Sequence, residues 1–359
     1  MLKLFSDIFI VIGYTRSTIH DFTRGGFKFI PNILAKAIKK YDGKIEYLDL
    51  KKKMSLNRMD LFNEYYNFLD ENEYIFDTEE SNLLNFIPIN MHYEYPFDLL
   101  SVIIFISSDN INIIKASLLK NIFFNIPHFK FIIEDNISPS EIIEITNIIH
   151  SKFVASITLL IGNKHKKSSS FKEIEKSSLI NVIYSNINID ANYFISDEYQ
   201  KRYPFLFLYK GHLQLMEATE YNTYLNKRIF IDYQADIKHV PESTVILGNL
   251  SQIEKKDDLL IIINSDIYKN ICSIHRNKIE VCRDCELRMI CIDNRIPIKI
   301  DNYWCCKTEC SYNPYICKWK GEEGYIPIKE CGSYEKETGF VPDKEKISKL
   351  NKQIWGEDE

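Results

Sequence analysis

The chain carries, from residue 282, the run Cys282-Arg-Asp-Cys285-Glu-Leu-Arg-Met-Ile-Cys291. All nine cysteines lie between Cys272 and Cys331, and none precedes them. A C-x2-C turn lets two thiolates converge on one centre, and a third cysteine nearby plus a distant fourth completes a four-thiolate set. Thiolates are soft ligands that select zinc or an iron-sulfur cluster over hard cations. The spacing therefore predicts a metal centre in this part of the chain.

A disulfide framework is the alternative explanation of these clustered cysteines. It would need an oxidising compartment, whereas the start of the chain has a short apolar run, 8–12, with no small-residue cleavage site after it. We therefore expect a strand there, no signal peptide and a cytoplasmic protein. In a reducing compartment, clustered cysteines more often bind metal or do redox chemistry.

The length and the net charge limit the number of domains and the kinds of binding surface that the chain can have. At 359 residues the chain is long enough for two or three domains, each able to bury its own core. The formal net charge is only -5, which predicts neither a nucleic-acid-binding surface nor a membrane-binding one. We expect a mixed α/β protein with domains at residues 1–76, 77–222 and 223–359.

Residues 1–76 have the pattern of a small unit of strands and helices. The runs 8–11 and 26–30 predict strands, Pro31 opens a helix that Asp42-Gly43 ends, and a second helix is expected at about 57–72. This order resembles the winged-helix, PqqD-like modules that grip leader peptides during ribosomal-peptide maturation. A cap packed on the next domain is the alternative interpretation.

Residues 77–222 alternate apolar strands with helical patterns after a linker-like segment. Strands are expected at 102–106, 129–133, 153–161, 179–184 and 205–209, with helices at 111–124 and after the capping box Ser138-Pro-Ser-Glu141. Alternation at these intervals predicts a parallel sheet, either a partial βα barrel or an open sheet. We find no phosphate-binding glycine loop and no nucleophile motif here, so the sequence predicts no catalytic residue.

The region from residue 223 begins with a predicted hairpin at 226–242. Together with Cys282-x2-Cys285-x5-Cys291, it resembles the SPASM domain, the C-terminal extension of many radical SAM peptide-modifying enzymes. The continuation to Arg295, followed by Cys310-Ser-Tyr-Asn-Pro-Tyr-Ile-Cys317-Lys-Trp319, looks like the peptide maturase of grasp-with-spasm systems. The segment Tyr14-Thr-Arg16-Ser17-Thr-Ile-His-Asp21-Phe22-Thr-Arg24 agrees with the opening of that family.

The resemblance implies partners and a chemistry. Members of the family are encoded beside an ATP-grasp ligase and a short precursor peptide, with leader and core, that becomes modified. They lack the C-x3-C-x2-C signature of a radical SAM cluster, and this chain has no cysteine before Cys272. The resemblance therefore implies a degenerate radical-SAM-like central domain with no S-adenosylmethionine cluster.

The same resemblance implies a ligand set. SPASM domains commonly bind two auxiliary clusters, but here Tyr224 and Val240 stand where hairpin cysteines are expected, and the cysteine string ends in Arg295. We expect one auxiliary 4Fe-4S cluster, with zinc as the alternative. The expected ligands are Cys282, Cys285, Cys291 and Cys310, with Cys317 as the runner-up for the fourth position. The other cysteines could form a second centre or be buried as small apolar residues.

Three hypotheses of function follow. The protein binds the precursor peptide and presents it to the ligase; or it is an enzyme that uses the surviving cluster for electron transfer or as a Lewis acid; or it is a zinc-stabilised scaffold with no chemistry. Because the sequence offers no catalytic constellation, binding is expected ahead of catalysis.

Overall fold

The computed structural model describes residues 1–52, 59–150, 152, 154–167, 171–191, 193, 207–208 and 211–356. They form a mixed α/β protein of two compact units. The first unit comprises Met1–Tyr93, Phe207–Glu220 and His275–Glu359, and the second comprises Glu94–Leu206 and Tyr221–Ile274. Within the described ranges, no helix is long and apolar enough to cross a membrane. The division into domains at residues 76 and 222 stays a prediction.

The helices of the described residues are, in chain order, α1 (Asn32–Tyr41), α2 (Tyr47–Lys52), α3 (Met59–Glu71), α4 (Ile111–Leu119), α5 (Pro139–His150), α6 (Phe171–Ile174), α7 (His212–Glu220), α8 (Lys256–Asn264), α9 (Asp266–Cys272) and α10 (Lys344–Trp355). The strands are β1 (Leu2–Leu4), β2 (Ile8–Ile12), β3 (Arg16–Asp21), β4 (Gly26–Pro31), β5 (Ile75–Asp77), β6 (Ser101–Ile106), β7 (His128–Ile133), β8 (Ser156–Gly162), β9 (Ile180–Ser185), β10 (Phe207–Leu208), β11 (Arg228–Ile231), β12 (Asp236–Lys238), β13 (Gly248–Asn249), β14 (Cys291–Ile292), β15 (Pro297–Ile300), β16 (Tyr303–Cys306), β17 (Tyr312–Asn313), β18 (Lys318–Trp319), β19 (Gly332–Glu335) and β20 (Gly339–Pro342).

An antiparallel sheet of β2, β3 and β4 begins the first unit, and α1, α2 and α3 follow it. Alternate residues of these strands face one side, where α1 covers them, and β1 pairs with β5 beside them. Pro31 has extended dihedrals just before α1, and the helix buries a stripe at helical spacing. The buried core of this module is Ile8, Ile10, Ile19, Ile30, Leu34, Ala35, Ile38, Leu69, Tyr74 and Ile75.

The apolar core of the first unit draws on all three of its sequence stretches. One cluster joins Val11 and Phe22 to Leu215 and Ala218 of α7 and to Met289. A second cluster packs Tyr14 against the C-terminal region, whose buried members are Val281, Tyr315, Ile316, Ile328, Cys331, Phe340 and Ile347. The N-terminal strands and the cysteine-rich region therefore share one core.

The second unit is built on a seven-stranded sheet in the order β13-β12-β11-β6-β7-β8-β9. Strands β11, β6, β7, β8 and β9 are parallel, whereas β12 and β13 add on in antiparallel fashion. One face carries Phe105, Leu160 and Phe230, and Ile189 and Tyr193 pack over it. The β11–β12 pair is the hairpin expected at 226–242.

Two expectations of the sequence need correction. The helix expected at 111–124 ends at Leu119, because Asn121 and Asn125 adopt left-handed backbone with φ of 57° and 62°. The strand expected at 205–209, of which only 207–208 lies within the described residues, does not complete the parallel sheet. It pairs antiparallel with β14 in the first unit, since apolar periodicity reports burial and not the pairing partner. Residues 57 and 58 of the expected second helix lie outside the described residues.

Candidate metal centre

The predicted C-x2-C motif follows a strained turn. The Cys282 amide donates to the Glu280 carbonyl oxygen at 2.7 Å, and Val281 between them has φ 67° and ψ -46°. This is a γ-turn of the rare positive-φ type, which is costly for a β-branched residue. A single 3-10 turn, Cys282–Asp284, comes next, and the Cys285 amide donates to the Cys282 carbonyl oxygen at 3.0 Å. The turn places both cysteines in one loop, and such strain is typical of functional sites.

The four cysteines predicted as ligands interact electrostatically with one another. The Cys285 thiol interacts electrostatically with Cys291 and Cys310, Cys291 interacts with Cys282, and Cys310 also interacts with Cys282. Burial raises the pKa of the Cys285 and Cys291 thiols well above the usual value. The Glu286 charge raises the pKa of Cys285 further, whereas Arg276 opposes the rise for Cys291. In the part of the chain that the structure describes, no three His, Cys, Asp or Glu side chains are arranged as ready ligands of one metal ion.

Cys306 is a fifth member of this thiol group, and sequence reasoning did not single it out. The Cys282 thiol donates a hydrogen bond to Cys306, which lowers the pKa of Cys306 and raises that of Cys282. Strand β16 explains the choice between adjacent cysteines, because successive side chains of a strand point to opposite faces. Cys305 has Glu280 and Tyr303 as electrostatic neighbours instead. The alternation of side chains along strand β16 is the sequence feature that separates Cys306 from Cys305. It could be used only after the structure had shown where the strand lies.

The remaining cysteines have other surroundings. Cys317, the runner-up, is buried and donates from Sγ to the Pro314 carbonyl oxygen at 3.8 Å. Cys331 is fully buried and accepts a hydrogen bond from Asn313 Nδ2 at 3.3 Å. Cys272 belongs to the second unit, with its Sγ 3.5 Å from the Leu225 carbonyl oxygen.

Two arginines supply positive charge to the thiol group. Arg276 is only 1% exposed and interacts electrostatically with Cys291, Cys282 and Cys306. Arg295 lies near Cys310 and Cys306, and its Nε donates to Asp293 Oδ2 at 2.7 Å. Burial would raise the pKa of Asp293, but the two arginines lower it below its usual value. A thiolate-ligated centre carries net negative charge, so thiols beside buried cations fit either an iron-sulfur cluster or zinc.

The N-terminal strands contact the motif directly. The Tyr14 amide donates to the Asp284 carbonyl oxygen at 2.7 Å, and Thr18 Oγ1 donates to the Glu286 carbonyl oxygen at 2.8 Å. Arg16 Nε lies 2.8 Å from Glu286 Oε1, which also accepts from the Tyr312 hydroxyl. A Cβ at Gly13 would lie 2.9 Å from the Glu286 nitrogen, so the backbones approach closely there.

An apolar pocket of about 280 Å³ lies in the N-terminal module of the first unit. It is lined by β1, α1, α3, Leu50 of α2 and Ile75 of β5, with Lys3 and Asp42 as its charged members. Lys3 Nζ and Asp42 Oδ2 are paired at 2.7 Å, so the two charges offset each other. The remaining lining is apolar and aromatic, and includes Leu34, Ile38, Leu61, Phe62, Tyr65 and Tyr66. Such a pocket suits apolar side chains of a ligand.

The fold and the site define a mixed α/β protein with a buried thiol group between arginines. No protein-family model matches the sequence, and no curated protein matches it. Among solved structures, the chain is similar to SuiB of Streptococcus suis, with 9% identity and a TM-score of 0.21 over 80% of this chain and 94% of that one. It is also similar to SuiB bound to S-adenosylmethionine, with 10% identity and a TM-score of 0.21 over 81% and 94% of the two chains. Likeness at this level carries no argument about function.

Proposed function

We propose that the protein takes part in the maturation of a ribosomally synthesised peptide, together with an ATP-grasp ligase and without ordinary radical SAM chemistry. In this proposal it binds the precursor, leader and core, and presents it to the ligase. The observation that carries the proposal is the electrostatic interaction of the Cys282, Cys285, Cys291 and Cys310 thiols with one another, and of Cys282 and Cys291 with the buried Arg276. The family resemblance of the sequence implies an auxiliary metal centre with these four ligands.

The proposed centre is one 4Fe-4S cluster, or zinc in its place, with Cys282, Cys285, Cys291 and Cys310 as ligands. When bound, an iron-sulfur cluster supplies electron transfer or a Lewis acid, whereas zinc supplies structural stability. The protein's own residues hold the loop that carries these thiols. Thr18 anchors the Glu286 backbone, and Arg288 Nη1 donates to the Cys285 carbonyl oxygen at 2.8 Å.

The proposed site for the precursor is the apolar pocket between α1 and α3. Its lining favours the apolar side chains of a peptide, which bury surface there without leaving polar groups unpaired. The pocket and the thiol group belong to the same compact unit. One unit would therefore hold the peptide and carry the centre.

A zinc-stabilised scaffold with no catalysis is the second candidate function. The observation that favours it is the packing around the cysteines, where Cys331 lies in the same apolar cluster as Tyr315 and Phe340. Small domains with limited cores often gain their stability from a metal in this way.

Binding of the precursor to a pocket variant tests the proposal. Ala37 lines the pocket, and A37W would fill it, whereas K36W places the same side chain at an exposed position of α1. We expect A37W to weaken binding of a fluorescently labelled precursor peptide at least about tenfold, and K36W to leave it unchanged. Iron, sulfide and zinc are counted per chain on the same anaerobic samples.

The outcomes separate the candidates. Tight binding lost only in A37W, with a metal present, supports precursor binding. If the wild type does not bind the precursor peptide and contains one zinc per chain, the result supports the zinc-stabilised scaffold instead. Equal binding by A37W and the wild type contradicts the pocket as the peptide site.

A further inference from the structure

Arg276 is a buried cation whose hydrogen-bonding capacity is only partly used. Its Nη2 donates to the Asp293 carbonyl oxygen at 2.6 Å, and its Nη1 lies 3.9 Å from Asp293 Oδ2. Among the described residues, Nε and Nη1 find no hydrogen-bond acceptor. A buried charged donor left without an acceptor costs free energy, so a side chain in this position is expected to have a partner.

Arg295, the second arginine near the thiol group, has a hydrogen-bond acceptor for each of its three guanidinium nitrogens. Its Nε and Nη2 donate to Asp293 Oδ2, and its Nη1 donates to the Thr308 carbonyl oxygen at 2.8 Å. Asp293 also accepts from the Arg295 backbone amide at 3.0 Å. The Asp293 carboxylate is thus hydrogen-bonded to Arg295, and the other electrostatic neighbours of Arg276 are cysteine sulfur atoms.

The sulfur atoms near Arg276 belong to the thiol group. Cys291, Cys282 and Cys306 are its electrostatic neighbours, and two of these three are proposed metal ligands. Sulfur atoms of a thiolate centre accept hydrogen bonds from N–H groups, and such bonds stabilise the charge of the centre. A guanidinium offers several donors in one plane, which suits several acceptors at once.

We infer that Arg276 is a positioning residue of the metal centre, which donates from Nε and Nη1 to its sulfur atoms and balances its negative charge. The inference rests on the proposed centre and adds a residue that is not a ligand. Arg276 does not touch the metal in this arrangement. It fixes where the sulfur atoms stand and how much negative charge they can carry.

Zinc affinity tests the inference without any assay of activity. The metal-free full-length protein is titrated with Zn²⁺ against a chromophoric chelator. We expect R276M to raise the Kd for Zn²⁺ about 10- to 100-fold, as loss of a residue supporting a metal ligand does. R276K keeps the charge but loses the planar pair of donors, so its Kd should rise less.

Two further variants calibrate the result. C285S removes a proposed ligand, and its Kd for Zn²⁺ shows how much affinity the loss of one ligand costs. R295M removes a positive charge near the same thiols but no unused donor, so it should raise the Kd less than R276M. Circular dichroism of each metal-free variant checks that it folds.

The reduction potential gives a second readout on protein loaded with iron and sulfide. Removal of a cation and of N–H···S hydrogen bonds disfavours the more negative, reduced state. R276M should therefore shift the potential to more negative values than the wild type. An altered potential is an effect that a purely structural arginine would not produce.

The outcomes are distinguishable. Wild-type protein that binds neither Zn²⁺ nor iron refutes the proposed centre itself. Wild-type binding with an unchanged Kd in R276M refutes only the role of Arg276. If R276M does not fold, the Kd of R276K for Zn²⁺ is used instead. A Kd of R276K equal to that of the wild type overturns the inference.

Discussion

Glu286 is the most deeply buried carboxylate beside the cysteine motif. Its side chain is 0% exposed, and Arg16, whose side chain is 26% exposed, lies 2.8 Å away. The Tyr312 hydroxyl donates to the same oxygen, and burial together with the Glu286 charge raises the pKa of Tyr312. The carboxylate therefore depends on one cation and one neutral donor, both supplied from distant parts of the sequence.

We predict that R16M destabilises the protein by about 3–5 kcal/mol, because it leaves the buried Glu286 carboxylate without a counter-charge. The double variant R16M/E286Q should recover part of this loss, since glutamine leaves no unpaired charge. The measurement is the free energy of unfolding in urea.

Lys52 provides the matched control for this prediction. It pairs with Asp49, and both side chains are exposed, by 75% and 54%. K52M should therefore cost less than about 1 kcal/mol. A loss in R16M no larger than that in K52M would contradict the importance of the Arg16–Glu286 pair.

At the residue scale, the sequence led us to propose metal ligands, and that assignment stays a prediction, but it did not point to the residues around them. Cys282, Cys285 and Cys291 could be proposed because the C-x2-C spacing is a local signal, and in the structure their thiols interact electrostatically with one another and with Cys310. Arg276 carries no local signal of its own. Its closeness to the thiols depends on how the whole loop folds, which spacing along the chain does not encode.

Helix α5 is the element that the sequence predicted best. The box Ser138-Pro-Ser-Glu141 forms as expected: Ser138 Oγ donates to Glu141 Oε2 at 2.6 Å, and the Ser138 amide donates to it at 3.0 Å. The Glu141 amide lies 3.4 Å from Ser138 Oγ and completes the box. The interaction is local, so a run of four residues suffices to predict it.

We predict that S138A destabilises the second unit by about 1 kcal/mol at neutral pH, as the loss of a helix cap does. The hydrogen bonds from the Ser138 hydroxyl and amide hold the pKa of Glu141 below its usual 4.5. A carboxylate with a lowered pKa stabilises the fold above the unfolded-state pKa and loses that effect as the pH falls.

The difference between S138A and the wild type should therefore shrink as the pH falls through the folded-state pKa of Glu141. Urea unfolding at neutral pH and below pH 4.5 measures it. N147A, on the exposed side of the same helix, should change the stability by less than about 0.5 kcal/mol at either pH. A pH-independent difference for S138A would contradict the role of the carboxylate.

Other elements show where local patterns fail. Strand β10 has only two described residues, and its partner β14 lies over eighty positions later in the chain. The apolar pattern at 205–209 is equally compatible with a buried parallel strand and with such a pair. Hydrogen-bond partners at long range had to come from the three-dimensional structure.

On the scale of the whole molecule, the first unit is assembled from both ends of the chain. Val11 and Phe22 share a core with Met289, and Tyr14 shares one with Tyr315. The second unit is drawn from the residues between, apart from 207–220. Shifts in composition along the sequence mark boundaries between consecutive segments. They do not show that a segment late in the chain packs against one near its start.

We predict that a chain ending at residue 274 loses the structure of the N-terminal strands. It lacks the backbone partners of Tyr14 and Thr18, which are Asp284 and Glu286, and it lacks Met289, which packs in the same cluster as Val11. Amide hydrogen exchange should show lost protection in β2 and β3.

The second unit is the internal control for the truncation, because all its residues are kept. Strand β6 should stay protected in the truncated chain. Protection of β2 at the level of the full-length protein would contradict the shared core.

The shared core also sets an order of events on the ribosome. Residues 1–93 leave the ribosome before residues 275–359, with which they form the first unit. Until residues 275–359 are made, β2 and β3 lack their contacts with Met289 and Glu286, whereas all residues of the second unit are already present. The middle of the chain is therefore expected to fold first, and the N-terminal strands are the segment that needs a chaperone while synthesis continues.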